Sequence, residues 1–155
     1  QVFLARQASL DRHVALKVTA GGAADRAEGL LLAGLEHDGI VKVYSAFADP
    51  ATGLVGLCLQ YVPGADLASV IRHLHAGGRP DSGRAVLAAL DHLRRGDPGF
   101  DPAALRGREA LAADDFPQAV CRFGERLAEA LAFAHAHGVL HCDIKPGNIL
   151  VTPYG

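Results

Sequence analysis

The sequence predicts a two-lobed α+β fold. Three observations carry this. Short strand-like runs fill the first third of the chain, helical spacing governs most of the rest, and Pro63-Gly64 breaks the pattern between them. A hinge is expected near Gln60 to Gly64, with a smaller lobe over residues 1–62 and a helical lobe over 63–155.

In the first lobe, Val2–Arg6 and Val14–Thr19 are apolar, partly β-branched runs separated by polar residues 7–13, which predicts a hairpin with a loose turn. Gly21-Gly22 breaks the pattern, and Asp25 is placed to cap a short helix through Leu35. Gly29 and Gly34 weaken that helix by roughly 1 kcal/mol each relative to alanine. Ile40–Phe47 and Leu54–Tyr61 are again strand-like, with a turn at residues 49–53. In the second lobe, Asp66 is an N-cap candidate for a helix carrying Leu67, Val70, Ile71 and Leu74, closed by Gly77. Residues 78–115 read as a helical insertion, with Ser82 capping a helix to about Arg95, a turn at 96–99 and a weak start at Asp101-Pro102. From Pro117, the residues Val120, Phe123, Leu127, Leu131 and Ala134 step by three or four, marking a long helix that Gly138 stops. A polar loop from His141 to Asn148 and a strand from Ile149 to Val151 follow.

Composition narrows the function. Of 155 residues, 50% are hydrophobic and 21% charged, too apolar for an intrinsically disordered chain. A formal charge of -2 offers no basic stripe, so nucleic-acid binding through phosphate neutralisation is not expected. Apolar stretches such as Leu30–Leu35 are too short for a membrane segment, and no signal-peptide pattern is visible. Cys58, Cys121 and Cys142 have neither disulfide-framework nor zinc spacing, which suits a reducing, cytoplasmic setting. With no methionine, Gln1 at the start and Gly155 soon after a strand-like run, the chain is expected to be a fragment.

The strongest chemical signal is His141-Cys142-Asp143-Ile144-Lys145-Pro146-Gly147-Asn148. An Asp and an Asn five residues apart in a turn-rich loop can point at one small volume. The carboxylate can orient a hydroxyl and accept its proton, while the amide oxygen suits a hard cation such as Mg²⁺. Lys145 puts a positive charge beside them that can neutralise a transferring phosphoryl group.

This loop resembles the catalytic loop of protein kinases, and its Asp-x-Lys-Pro-x-Asn form resembles the serine/threonine class. The resemblance implies a protein-kinase-like two-lobed fold: most of the small-lobe sheet, helix C, the hinge, helices D and E, and the catalytic loop. It implies Asp143 as catalytic base, Lys145 as phosphate-facing lysine and Asn148 as metal ligand, with ATP and Mg²⁺ as cofactors. Val14-Ala15-Leu16-Lys17 resembles the strand whose lysine holds the α/β-phosphates. A lysine within an apolar strand costs desolvation unless an anion pairs with it. Glu28 is the candidate helix C partner, with Glu36 the runner-up; the segment His37-Asp38-Gly39-Ile40-Val41 that follows resembles the family's His-Pro-Asn-Ile-Val. The resemblance further implies Val2 and Ala15 above the adenine ring and Leu150 below it, Leu59 as gatekeeper, backbone groups of Gln60 to Val62 on adenine, and Asp66 near the ribose.

Two departures bear on regulation. Cys142 replaces the usual Arg before the catalytic Asp, so control through an Arg–phosphate pair is not expected; the cysteine is expected to be a small packed residue. Cys142, a short helix C and the 78–115 insertion together resemble the large serine/threonine kinases of planctomycete-type bacteria. Two alternatives stay open. One is a pseudokinase that binds nucleotide or acts as a scaffold; the other is a small-molecule kinase of the aminoglycoside or choline type, against which Lys145-Pro146 and the Val14–Lys17 run argue. The expected partner is a protein carrying a Ser or Thr acceptor. A fragment lacking the glycine-rich loop and the Asp-Phe-Gly segment is expected to be inactive and poorly soluble. Phosphotransfer from γ-³²P-ATP equal to that of a longer chain, or a sharp melt without binding of an apolar dye, would count against this.

Overall fold

Apolar, partly β-branched runs within the first sixty positions pair into one antiparallel sheet. The computed structural model describes residues 1–20, 33–97 and 108–153. The chain divides into two units, Gln1–Tyr61 with Ala130–Leu140, and Val62–Glu129 with His141–Gly155. This is a mixed α+β, protein-kinase-like fold.

In the first unit, β1 (Val2–Gln7), β2 (Arg12–Ala20), β3 (Val43–Asp49) and β4 (Leu54–Gln60) lie in the order β1-β2-β4-β3. The hairpin turn is tighter than its polar composition suggests. A single 3₁₀ turn, Ala8–Leu10, is followed by Asp11 in the left-handed region, whose carboxylate takes the Arg6 guanidinium. Arg12 reaches back to Gln7 Oε1 at 2.8 Å and lies 3.6 Å over the Tyr44 ring.

The third strand starts at Val43 rather than at Ile40. The preceding residues turn instead: the Ile40 N–H bonds His37 O at 3.0 Å, and Lys42 meets the end of β4, its carbonyl accepting the Gln60 N–H at 2.8 Å and its N–H donating to Gln60 Oε1 at 3.4 Å. That turn is anchored on the end of the long helix. The His37 ring stacks 5.0 Å from Phe133, while its Nδ1 accepts the Gly39 N–H at 2.9 Å. The helix expected from Asp25, and with it Glu28, falls almost wholly outside the described residues. Leu35, at its end, is buried.

The second unit is helical. Its elements are a short β5 (Ala65–Asp66), α1 (Leu67–Ala76), α2 (Gly83–Leu93), α3 (Arg108–Ala113), α4 (Phe116–Ala136) and β6 (Leu150–Val151). Val70, Val86, Ala89, Leu90 and Val151 form its core, with Leu67, Leu74, Phe116 and Phe123 packed on it. Leu87, Leu111 and Ala119 make a second cluster that seats α3.

Of the 78–115 stretch, residues 78–97 and 108–115 are therefore a built part of this unit. Arg108 grips Asp91 with its two terminal guanidinium nitrogens, at 2.8 and 2.7 Å, and Arg122 holds Asp114 through Nε and one terminal nitrogen, at 2.7 and 3.0 Å. Ser82 precedes α2, but its hydroxyl bonds Asp81 rather than the helix's free N–H groups. The long helix starts on a capping box: the Gln118 N–H bonds Asp115 Oδ1 at 2.8 Å, and Gln118 Oε1 accepts the Asp115 N–H at 2.9 Å. Its inward stripe runs through the buried Ala119, Ala130 and Ala134 and the partly buried Phe123, which leaves Val120 half exposed against the sequence expectation. Among the described residues no helix is long and apolar enough to cross a membrane.

Two glycines should respond oppositely to alanine. A Cβ on Gly83 would lie 1.8 Å from the Leu111 carbonyl oxygen, whereas one on Gly124 would meet nothing within 4 Å. Gly83→Ala should therefore cost about 1–3 kcal/mol or more, and Gly124→Ala should add about 0.5–1 kcal/mol. Urea denaturation of both variants measures the pair.

Candidate active site

The loop from His141 to Asn148 closes on itself because of two local devices. Cys142 has φ 57°, and the next residue's N–H returns to His141 O at 2.8 Å, a γ-turn that reverses the chain just before Asp143. Pro146 then opens a 3₁₀ turn, Pro146–Asn148, in which the Asn148 N–H bonds Lys145 O at 2.9 Å. The two bends bring three side chains together. Asp143 Oδ2 accepts Lys145 Nζ at 2.7 Å and Asn148 Nδ2 at 2.8 Å, and Nδ2 also bonds the Asp143 carbonyl at 3.0 Å.

Among the described residues no hydrogen bond falls on Asp143 Oδ1, so one carboxylate oxygen remains to accept a proton. The Lys145 hydrogen bond, then that of Asn148, hold the Asp143 carboxyl below the usual carboxylate range; the charges of Lys145 and His141 act in the same direction. With Nδ2 turned to Asp143, the amide oxygen of Asn148 points away from it. That amide oxygen is a hard donor of the kind Mg²⁺ takes, an ion that keeps waters and phosphate oxygens as its other ligands. Among the described residues no group of three or more His, Cys, Asp or Glu side chains could hold a metal.

A ladder places this loop. β5 and β6 pair through Ala65↔Val151 and Asp66↔Leu150, and the Leu67 N–H bonds Ile149 O at 2.8 Å. Asp66 and Leu150 are thus cross-strand neighbours on one face, while Val151 enters the core. The Asp66 carboxylate also caps α1, accepting the Ser69 N–H at 2.8 Å and the Ser69 hydroxyl at 2.6 Å. Partial burial pushes its carboxyl up, but the Ser69 bonds and the Arg72 charge outweigh this and hold it below its ordinary value.

In the first unit the register sets a second group. Val2 pairs with Lys17, Lys17 with Leu57, and Ala15 with Leu59. Cross-strand partners share a face, so Val2, Ala15, Lys17 and Leu59 stand on one side of the sheet. Gln60 ends β4 with its N–H on Lys42 O, and Val62 begins the second unit.

Two expectations change. Lys17 is exposed, so its ammonium stays hydrated and carries no desolvation cost of its own. Cys142 is exposed rather than packed, because the γ-turn throws its side chain outward. The capping residues Asp115 and Gln118, which start the helix leading to the loop, went unnoticed in the sequence although the Asp-x-x-Gln spacing signals them.

Comparison with known proteins gives the family. Residues 11–155 match the Phosphotransferase enzyme family, APH. The chain belongs to this family. The chain is also similar to the serine/threonine-protein kinase mos of Gallus gallus, 32% identical over 81% of this chain and 31% of that protein. It is similar to the serine/threonine-protein kinase PknB of Mycolicibacterium smegmatis, 28% identical over 98% of this chain and 20% of the relative. A 31-residue stretch is 58% identical to the serine/threonine-protein kinase PknA of Mycobacterium tuberculosis, covering 20% of this chain and 7% of that one. This phosphotransferase chain thus spans about a third or less of the length of these curated relatives.

The lowered Asp143 pKa means that the loop's bonds to its carboxylate persist below the ordinary carboxylate range and are lost as pH falls through the lowered value. Lys145→Ala and Asn148→Ala should each move the Asp143 titration upward, Lys145→Ala the more. Carboxyl ¹³C NMR of Asp143 against pH measures both shifts.

Proposed function

We propose that this phosphotransferase is a serine/threonine protein kinase that moves the γ-phosphoryl group of ATP to a Ser or Thr hydroxyl of a protein. One observation carries the reading: an ionised Asp143 with Oδ1 open, and Oδ2 held by a lysine two residues on and an asparagine five residues on. Asp143 Oδ1 orients the acceptor hydroxyl and takes its proton as the bond to phosphorus forms. Lys145 neutralises charge on the transferring group, and the Asn148 amide oxygen would hold Mg²⁺. When bound, that ion offsets the negative charge of the phosphate oxygens.

Lys17 takes the role of phosphate ligand. Its exposure and its place beside Val2 and Ala15 on one sheet face support this. Glu28 is its proposed partner. Val2, Ala15 and Leu150 would contact the adenine ring, Gln60 and Val62 would supply backbone groups to it, and Asp66, already held by Ser69, would accept from the ribose. In this reading residues 1–62 and 63–155 are the two kinase lobes. The Lys145-Pro146 turn, which seats Lys145 on Asp143, supports a protein acceptor over a small-molecule one.

The full-length protein carrying this chain should transfer ³²P from γ-³²P-ATP to Ser or Thr of a protein acceptor. Asp143→Asn should lower the rate by about 10²–10⁴-fold. Labelling of a small hydroxylated acceptor in preference to protein, or an unchanged rate in Asp143→Asn, would overturn the reading.

A further inference from the structure

A groove of about 400 Å³ lies on the second unit, lined by none of the residues assigned a role above. Its lining comes from Ile71, Leu74 and His75 of α1, from Gly78, Arg79 and Pro80, and from Phe116. It is built rather than incidental. The Gly77 N–H closes α1 on His73 O and Leu74 O, Gly78 turns the chain at φ 104°, and the Phe116 N–H fixes Asp81 O at 3.1 Å. Leu74 and Phe116 rest on the main core cluster, so the floor is supported from behind.

The chemistry of the groove is one-sided. Its apolar members are Ile71, Leu74, Pro80 and Phe116, and its charged or chargeable members are Arg79 and His75, with no carboxylate among the lining residues. The chain as a whole is net negative. Among the described residues neither Arg79 nor His75 has a side-chain hydrogen bond or an ion pair, while the nearby Asp81 carboxylate accepts the Ser82 hydroxyl at 2.8 Å. None of the lining residues is buried, so the groove is open along its length. A small ligand there would keep much of its surface in water, whereas small-molecule sites enclose most of the ligand. An extended segment can lay one apolar side chain on the floor and pair an acidic one with the rim.

We propose that this groove docks an acidic segment of a partner protein, anchored by a large apolar side chain between Ile71, Leu74 and Phe116 and by a carboxylate on Arg79. The test is fluorescence anisotropy of the full-length protein, without nucleotide, against a fluorescein-labelled peptide Glu-Glu-Leu-Phe-Glu-Glu and its counterpart with Lys at every Glu. The acidic peptide should bind at least tenfold tighter, and Arg79→Glu should remove that preference. Arg95→Glu, an equal charge change at an exposed position outside the groove, should leave it. Binding of the acidic peptide should weaken several-fold between 50 and 500 mM salt, as roughly expected from screening. Equal affinity for both peptides, or an unchanged preference in Arg79→Glu, would overturn the proposal. Competition by phenylbutyrate as strong as by unlabelled peptide would make the groove a small-anion site instead. Self-association of the protein that Arg79→Glu abolishes would make the occupant a second copy. Because no ATP is present, failure here leaves the phosphotransfer reading untouched.

Discussion

The geometry of the second unit depends on the two-rung ladder between Ala65-Asp66 and Leu150-Val151. A ladder this short has little stability of its own. It holds because Val151 is buried among Val70, Val86, Ala89 and Leu90, so breaking it would expose the core. The approach is closer than a side chain allows: a Cβ on Gly64 would lie 2.5 Å from the Val151 carbonyl oxygen. Through this contact the start of α1 and the exit of the 141–148 loop become one rigid piece. The Leu67 N–H on Ile149 O adds a third rung in effect, and Asp66 both caps the helix and faces Leu150 across the pair.

The loop itself is held by weaker forces. The side chains of Asp143 and Lys145 are 61% and 57% exposed, so water screens their pairing. That weakness suits the proposed chemistry. An ammonium locked in a buried ion pair could not be shared with an arriving phosphate, whereas one on a solvated carboxylate can bridge the two. Position comes from the backbone turns and the core-anchored ladder, and charge comes from groups that remain free to reorganise.

This division explains what the sequence made legible. Asp143, Lys145 and Asn148 lie within six positions, so local turn chemistry alone brings them together, and Pro146 announces the turn. The Asp66 cap and the Gly77 stop were readable for the same reason. Val2, Ala15, Lys17 and Leu59 share a face because strand alternation and antiparallel pairing leave few registers open. The stripe of α4 was misread at Val120 because small residues carry it. Ala119, Ala130 and Ala134 are buried, and alanine carries little hydrophobic signal beside valine. Ser82 has the residue type of a cap, but Asp81 competes for its hydroxyl, and composition does not rank such partners. The start of β3 was misplaced because Ile40 and Val41 are β-branched, whereas the His37 stack on Phe133 and the Gly39 approach to Ala130 hold that stretch as a turn. These are tertiary contacts between residues about ninety positions apart, invisible to a local pattern.

Cys142 shows the limit most clearly. Nothing about cysteine favours a positive φ, which costs a non-glycine residue about 1–2 kcal/mol. The conformation is imposed by the γ-turn that delivers Asp143, with the Asp143 N–H within reach of both His141 O and His141 Nδ1, at 2.8 and 3.3 Å. Strain of this kind persists only where flanking structure fixes both ends, and the ladder at Leu150-Val151 fixes the far one. The identity of the side chain matters for a separate reason. Where the resembling kinases carry an arginine, this exposed thiol brings no positive charge at neutral pH. The cations beside Asp143 are therefore Lys145, hydrogen-bonded to it, and His141 when protonated, whose charges both act to lower the carboxyl's pKa. The electrostatic character of the loop thus rests mainly on one lysine side chain, and its geometry on two backbone turns.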